Sequence, residues 1–225
     1  MTTAYTTVAR RIGKVSAAVV AGLLLVYAVT LGAGFASLES SDEQIGDPYF
    51  TLLEVLIIVM MPPLVSLLIA VHAWAPARRK VLSLTAVIFM SMVAVVTCAL
   101  HFVILTVSRQ AAFSALETLP LFLSFTWPSV AYALDILAWD VFFALSMFFA
   151  SAVFTGSRLA TSLRVTMVLS GVLALAGLSG VVTGDMELRN IGIVGYVGVF
   201  FVVVLLLAVF FRRSVPMETE PPRAV

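Results

Sequence analysis

Six apolar stretches, at about 15–36, 51–74, 81–107, 129–154, 165–184 and 191–211, constrain this chain more than anything else in it. Each is about 20 residues or longer, the length a helix needs to cross the hydrocarbon core of a bilayer. Inside that core each backbone N–H and C=O must find a partner within the protein, so apolar runs of this length read as helices. Hydrophobic residues make up 62% of the 225 and charged residues 11%, far from the balance of a soluble domain. The expected fold is an all-α integral membrane protein, a six-transmembrane-helix bundle forming one domain over 15–211. Residues 1–14 read as a polar tail, and the Pro- and Glu-rich 212–225 as a disordered one. The first stretch follows Arg10, Arg11 and Lys14 as a signal peptide would. Its apolar core is longer than the 7–15 residues of such peptides, so it is read as a retained anchor.

Charge between the stretches sets orientation. With the N-terminus in the cytoplasm, eleven of the 13 lysines and arginines lie on the cytoplasmic side, from Arg10, Arg11 and Lys14 to Arg78, Arg79, Lys80, Arg158, Arg164, Arg212, Arg213 and Arg223. Only Arg109 and Arg189, the latter in the DMELRN loop, fall outside. That asymmetry predicts cytoplasmic N and C termini in a bacterial-type inner membrane. The outer loops are acidic, notably Glu39, Asp42, Glu43 and Asp47.

The fourth stretch carries Asp135 and Asp140, and a charge at that depth is costly unless paired, neutralised or wet. At 1.5 Å rise per residue, Asp135 lies about 9 Å and Asp140 about 16 Å below the outer end of its helix. His101 lies about 9 Å below the outer end of the third, so Asp135 with His101 is the first pair to test. Glu54 and Asp185 bring two more carboxylates to the same half. Asp135 and Asp140 are five positions apart, about 140° around a regular helix, so either they address different neighbours or one lines a cavity while the other holds the bundle together. For Asp140 the partners expected from depth are Tyr27, Thr97 and Tyr196, with His101 the one basic option. Tyr132 and Trp139 share the face of Asp135, and Thr97 that of His101.

Other features read as architecture. Pro62 and Pro63 remove two backbone donors and predict a kink in the second helix. Ala176, Gly180 and Gly184 recur every four positions, a small-residue ridge for close helix packing. His72 reads as interfacial, beside Trp74. Residues 108–128 are too short and interrupted to span, and are expected at the interface or re-entrant. Gly177–Gly180 reads GLSG and resembles the GxSG of rhomboid intramembrane proteases. Those enzymes need a histidine on a later helix and none follows Ser179, so the four letters are read as a helix crossing.

No cofactor or metal is expected. The two histidines lie at different depths, which disfavours haem, and a zinc site would want more ligands of that kind. The spread of basic residues among short loops argues against nucleic acid. The expected partners are the lipid bilayer and, as candidates, a second copy or another membrane protein.

Three functions fit. The leading one is a small transporter or proton-linked permease using Asp140, Asp135 and His101, with Glu54 and Asp185 as further pathway residues. The others are a scaffold, sensor or assembly partner, and a membrane-embedded enzyme with an outward-facing acid–base site. Water reaching Asp140 favours the first, a fully partnered dry core the second, and a closed outer pocket where Asp135 meets His101 the third.

Overall fold

Hydroxyl and carboxylate side chains mark the helix starts. Thr6 accepts from Ala9 N–H, Ser129 from Tyr132 N–H, Ser157 from Ala160 N–H and Asp185 from Glu187 N–H, each satisfying a donor with no helical acceptor. The structure is a computed structural model and describes residues 5–40 and 43–216. Within them every regular element is helical, and six helices are long and apolar enough to cross a membrane. These are α1 (Thr7–Ala36), α2 (Tyr49–Trp74), α3 (Ala77–Thr106), α4 (Val130–Ser151), α5 (Arg158–Thr183) and α6 (Met186–Arg213). Because α1 begins at Thr7, Arg10, Arg11 and Lys14 ride on a helix rather than on a tail. Of the tail expected to be disordered over 212–225, Arg212 and Arg213 instead close α6, and 217–225 lie outside the described residues.

Consecutive helices pack side by side and α6 closes the ring against α1. The chain therefore has two ends, one carrying the basic turns and both termini, the other carrying the acidic loops. At the basic end, cations satisfy the last carbonyls of neighbouring helices. Arg10 donates to Phe211 O at 3.0 Å and to Arg212 O at 2.7 Å, and Tyr5 OH meets Ser214 Oγ at 2.9 Å. Arg79 donates to Ala152 O at 2.7 Å, and Lys80 to His72 O and Ala73 O. His72 Nδ1 pairs with Ser83 Oγ at 2.8 Å. The basic half of the bundle is filled by fully buried side chains, among them Met61, Leu64, Phe143, Phe154, Phe200 and Phe211.

Helix α2 runs through Pro62 and Pro63 as one element. Pro62 leaves the Ile58 carbonyl without its helical donor, and the Cys98 thiol of α3 lies 4.0 Å from that oxygen. Two other helices are interrupted by π-turns, α4 at Leu137–Phe142 and α6 at Val194–Val199. Such widened turns cost regular hydrogen bonds and tend to occur at functional sites. In α6, Ser170 of α5 donates to Gly195 O at 2.8 Å. Gly195 permits this approach: a Cβ there would stand 2.8 Å from Ala174 N and Ser170 O.

Candidate functional site

The two π-turns meet through Trp139 and Tyr196, whose ring centroids lie 5.3 Å apart, and beside them α2, α3, α4 and α6 converge on a buried charge network. Glu54 of α2 meets His101 Nδ1 of α3 at 2.8 Å. His101 Nε2 faces Asp135 Oδ1 of α4 at 3.7 Å. Asp135 Oδ2 accepts from Arg189 Nη2 of α6 at 2.8 Å, and Arg189 Nε stands 3.6 Å from Asp140 Oδ2. The guanidinium also lies 4.6 Å from the ring centroid of Tyr132, near enough for a cation–π contact. Glu54 is 4% exposed, His101 4%, Arg189 5% and Asp140 0%. Several atoms here have no hydrogen-bond partner: His101 Nε2, Trp139 Nε1, Arg189 Nε and both Asp140 oxygens. The chain is a multi-pass membrane protein with a buried Asp/His/Arg network.

Asp135 and Asp140 share one cation even though they lie five residues apart on α4. A regular helix would separate their directions, but the π-turn closes on i→i+5 and turns Asp140 back toward the face of Asp135. The alternative in which they address different neighbours is corrected by this turn. The partner of Asp140 is likewise Arg189, not Tyr27, Thr97, Tyr196 or His101. Thr97 is fully buried and its hydroxyl has no partner.

Arg189 is the residue that reading the sequence missed. Its place between two apolar stretches assigns it to an outer loop, yet it closes a 3-10 turn, Met186–Arg189, and points into the bundle. Gly180 makes room for it, since a Cβ there would stand 3.0 Å from Arg189 N. Of the expected ridge, Gly180 thus packs against α6, while Ala176 is half-buried and Gly184 adopts φ 78° to end α5. Helices α5 and α6 also approach closely at Gly177, where a Cβ would stand 3.1 Å from Gly192 Cα. The available signal for Arg189 was charge balance, because it is a lone cation next to an acidic span.

Asp185 stays outside, exposed and occupied as a cap. Ser179 donates to Ala176 O at 2.7 Å, a bond within its own helix. Arg109, the other cation at the acidic end, reaches Asp47 at 3.5 Å and Thr51 Oγ1 at 2.7 Å. At Asp47 the Thr51 hydroxyl and backbone N–H hold the carboxyl below its usual range.

A cavity of about 400 Å³ opens above the network at the acidic end. Its α1 wall is one helical face, Leu24, Tyr27, Leu31 and Phe35, and its α2 wall includes Phe50, Glu54 and Met60. Asp135, Tyr132, Trp139, Arg189 and Tyr196 line the opposite side. Residues 108–128 contribute Phe125, whose ring stacks on His101 at 5.1 Å. Asp140 does not line the cavity and sits beyond Arg189. Among the described residues no group of three or more His, Cys, Asp or Glu is arranged to hold a metal ion. No protein-family model, curated protein or solved structure matches this chain.

Proposed function

We propose that this protein is a proton-linked transporter of a small solute in a bacterial-type inner membrane, with both termini cytoplasmic. The observation that carries the reading is the network at the base of an open cavity, which reaches Asp135 directly and Asp140 only through Arg189. Asp135 and Asp140 flank one fixed cation, Arg189, while Glu54 and Asp135 flank His101, the remaining base. Net charge at that depth is costly. The cluster reaches neutrality only with protons shared among the three carboxylates and His101, beside the hydroxyls of Tyr27, Tyr132 and Tyr196. A charged solute entering the cavity changes that balance, so its binding is linked to proton release or uptake. The packed basic half closes the path inward, which suits the outward-open state of an alternating cycle. The unpartnered polar atoms weigh against a purely architectural role, which expects each to be satisfied.

The test is reconstitution into liposomes carrying a pH gradient, with a trapped fluorescent pH dye and a panel of amines, amino acids, sugars and carboxylates. At least one class should collapse the gradient faster than empty liposomes do, and Asp140→Asn should stay folded but lose that flux. Full flux in Asp140→Asn, or binding of solutes without any movement of protons, overturns the reading. Orientation is checked by cysteine labelling in a Cys98→Ala background. Position 78 suits this better than 79, because Arg79 is engaged with the carbonyls of α4. Labelling of Glu43→Cys but not Arg78→Cys from outside intact cells is expected; the reverse would invert the topology.

One geometry favours a second reading. Glu54 orients His101 through Nδ1 and leaves Nε2 toward Asp135 and the cavity, an arrangement suited to acid–base catalysis at the outer face. A product that accumulates without transport, and vanishes in His101→Gln, would select it.

A further inference from the structure

We infer that the cavity takes an organic cation with an aromatic or aliphatic body, and that the cation displaces Arg189 from Asp135. This rests on the cavity being a solute site, the reading proposed above. The charge of the lining is the first ground. Four carboxylates, Glu43, Glu54, Asp135 and Glu187, border the cavity, and the basic groups there are Arg189 and His101. Both bases are already engaged, Arg189 by Asp135 and His101 by Glu54. An anion entering would meet uncompensated acid and cations that are already claimed. A positive charge would meet the reverse.

Aromatic faces are the second ground. Tyr27, Phe50, Phe125, Tyr132, Trp139 and Tyr196 wall the cavity, and such faces attract organic cations. The site already demonstrates the fit with its own side chain. Arg189 holds its guanidinium 4.6 Å from the Tyr132 ring centroid and 2.8 Å from Asp135, the pose an incoming cation would copy. Trp139, 6% exposed, adds the largest of these rings to the wall.

Asp140 explains how the exchange is possible. Both of its oxygens lack a hydrogen-bond partner and one already lies 3.6 Å from Arg189 Nε. When the solute takes Asp135, the guanidinium closes this gap and pairs with Asp140 instead. Arg189 thus acts as a tethered competitor for the solute, and Asp140 as its alternative seat.

The experiment is calorimetric titration of the full-length protein in detergent, with no gradient present. Benzylammonium is the probe, and the similarly sized benzenesulfonate and benzyl alcohol are its anionic and neutral counterparts. The cation is expected to bind at least about tenfold more tightly than either. Asp135→Asn should weaken the cation by about tenfold or more and leave benzyl alcohol unchanged. Asp140→Asn, which has no contact with the cavity, should also weaken the cation, because Arg189 then has no charged seat to move to. Equal or tighter binding of the sulfonate overturns the inference on the wild-type protein alone, whatever the variants do. Cation binding unaffected by both substitutions overturns the displacement. If the cation binds as expected and no proton flux is found, the ligand class stands and the transport reading falls. If none of the three probes binds, the solute site and the inference fall together.

Discussion

Arg189 Nη2 holds Asp135 Oδ2 at 2.8 Å while its Nε stands 3.6 Å from Asp140 Oδ2, so one guanidinium spans two carboxylates of the same helix. The two contacts differ in kind: the first is a hydrogen bond, and the second leaves Asp140 without one. Asp140 is therefore held by charge and enclosure rather than by directed bonds. An amide of the same shape should fit there, so Asp140→Asn is expected to keep the wild-type thermal stability in detergent within about 1 kcal/mol. Asp140→Leu should lose about 1–3 kcal/mol, because it leaves Arg189 Nε facing hydrocarbon. Equal stability of the Leu variant and wild type would mean that Asp140 contributes nothing to holding α6.

Gly192 tests the same contact from the opposite side. A Cβ on Gly192 would stand 2.8 Å from Asp140 Oδ1, 3.3 Å from Tyr196 Cε1 and 3.4 Å from Gly177 Cα. Gly192→Ala must move either the carboxylate or helix α6, and is expected to cost about 1–3 kcal/mol. Gly22→Ala, on an open face of α1 with nothing within 4 Å, is the control and should be neutral or slightly stabilising. Comparable thermal shifts for the two would show that the contact between Gly192 and the Asp140 carboxylate has slack where the geometry shows none.

The spans were legible because apolar length is a direct physical requirement of the bilayer. The asymmetry of basic residues was legible too, although the structure gives it a second cause. Arg10, Arg79 and Lys80 cap helix C-termini, so charge is placed by helix ends as well as by the membrane. Within the site, Asp135, His101 and Glu54 could be ranked by depth, and they do converge. Arg189 could not, because it starts α6 just after the turn at Gly184, and hydropathy assigns such a residue to the loop. Its burial depends on Gly180 letting the backbone in, a tertiary fact. The joint role of Asp135 and Asp140 was hidden for a different reason. Counting positions on a helical wheel assumes 3.6 residues per turn, and the π-turn in α4 breaks that assumption at the place where it matters.

At the acidic end, Asp47 links pH to the start of α2. Its carboxylate accepts from Thr51 N–H at 3.1 Å and from the Thr51 hydroxyl, with Arg109 at 3.5 Å. These bonds favour the ionised form and lower its pKa in the folded protein. A depressed folded-state value means the contribution is present above the ordinary carboxylate range and is lost as pH falls through the folded value, from about pH 4 downward. Hydrogen exchange at the Thr51 amide, corrected for the intrinsic pH dependence, should speed up over that interval in wild type. Asp47→Ala should be fast and flat across it. A wild-type profile that stays flat would show that the carboxylate does not hold this helix start.

Removing the cation itself gives the sharpest reading of the network. Arg189→Gln leaves Asp135 and Asp140 buried without their counter-charge, which is expected to cost about 3–5 kcal/mol. The same substitution made on Asp135→Asn and on Asp140→Asn backgrounds should cost less, because one uncompensated charge has gone. From the two distances the couplings should be unequal. Arg189 with Asp135, a direct bond at 2.8 Å, belongs at the upper end of the 0.5–3 kcal/mol typical of contacting pairs, and Arg189 with Asp140 at the lower end. Thermal or denaturant unfolding of the six proteins in one detergent measures both cycles. The order of the two couplings decides the resting position of the guanidinium. If Asp140 couples more strongly, Arg189 already rests on the deeper carboxylate, Asp135 is free for a solute without displacement, and the exchange step is unnecessary. If Asp135 couples more strongly, a solute must compete with Arg189, and a cationic probe titrated into the protein should erase the Asp135 coupling while strengthening that of Asp140.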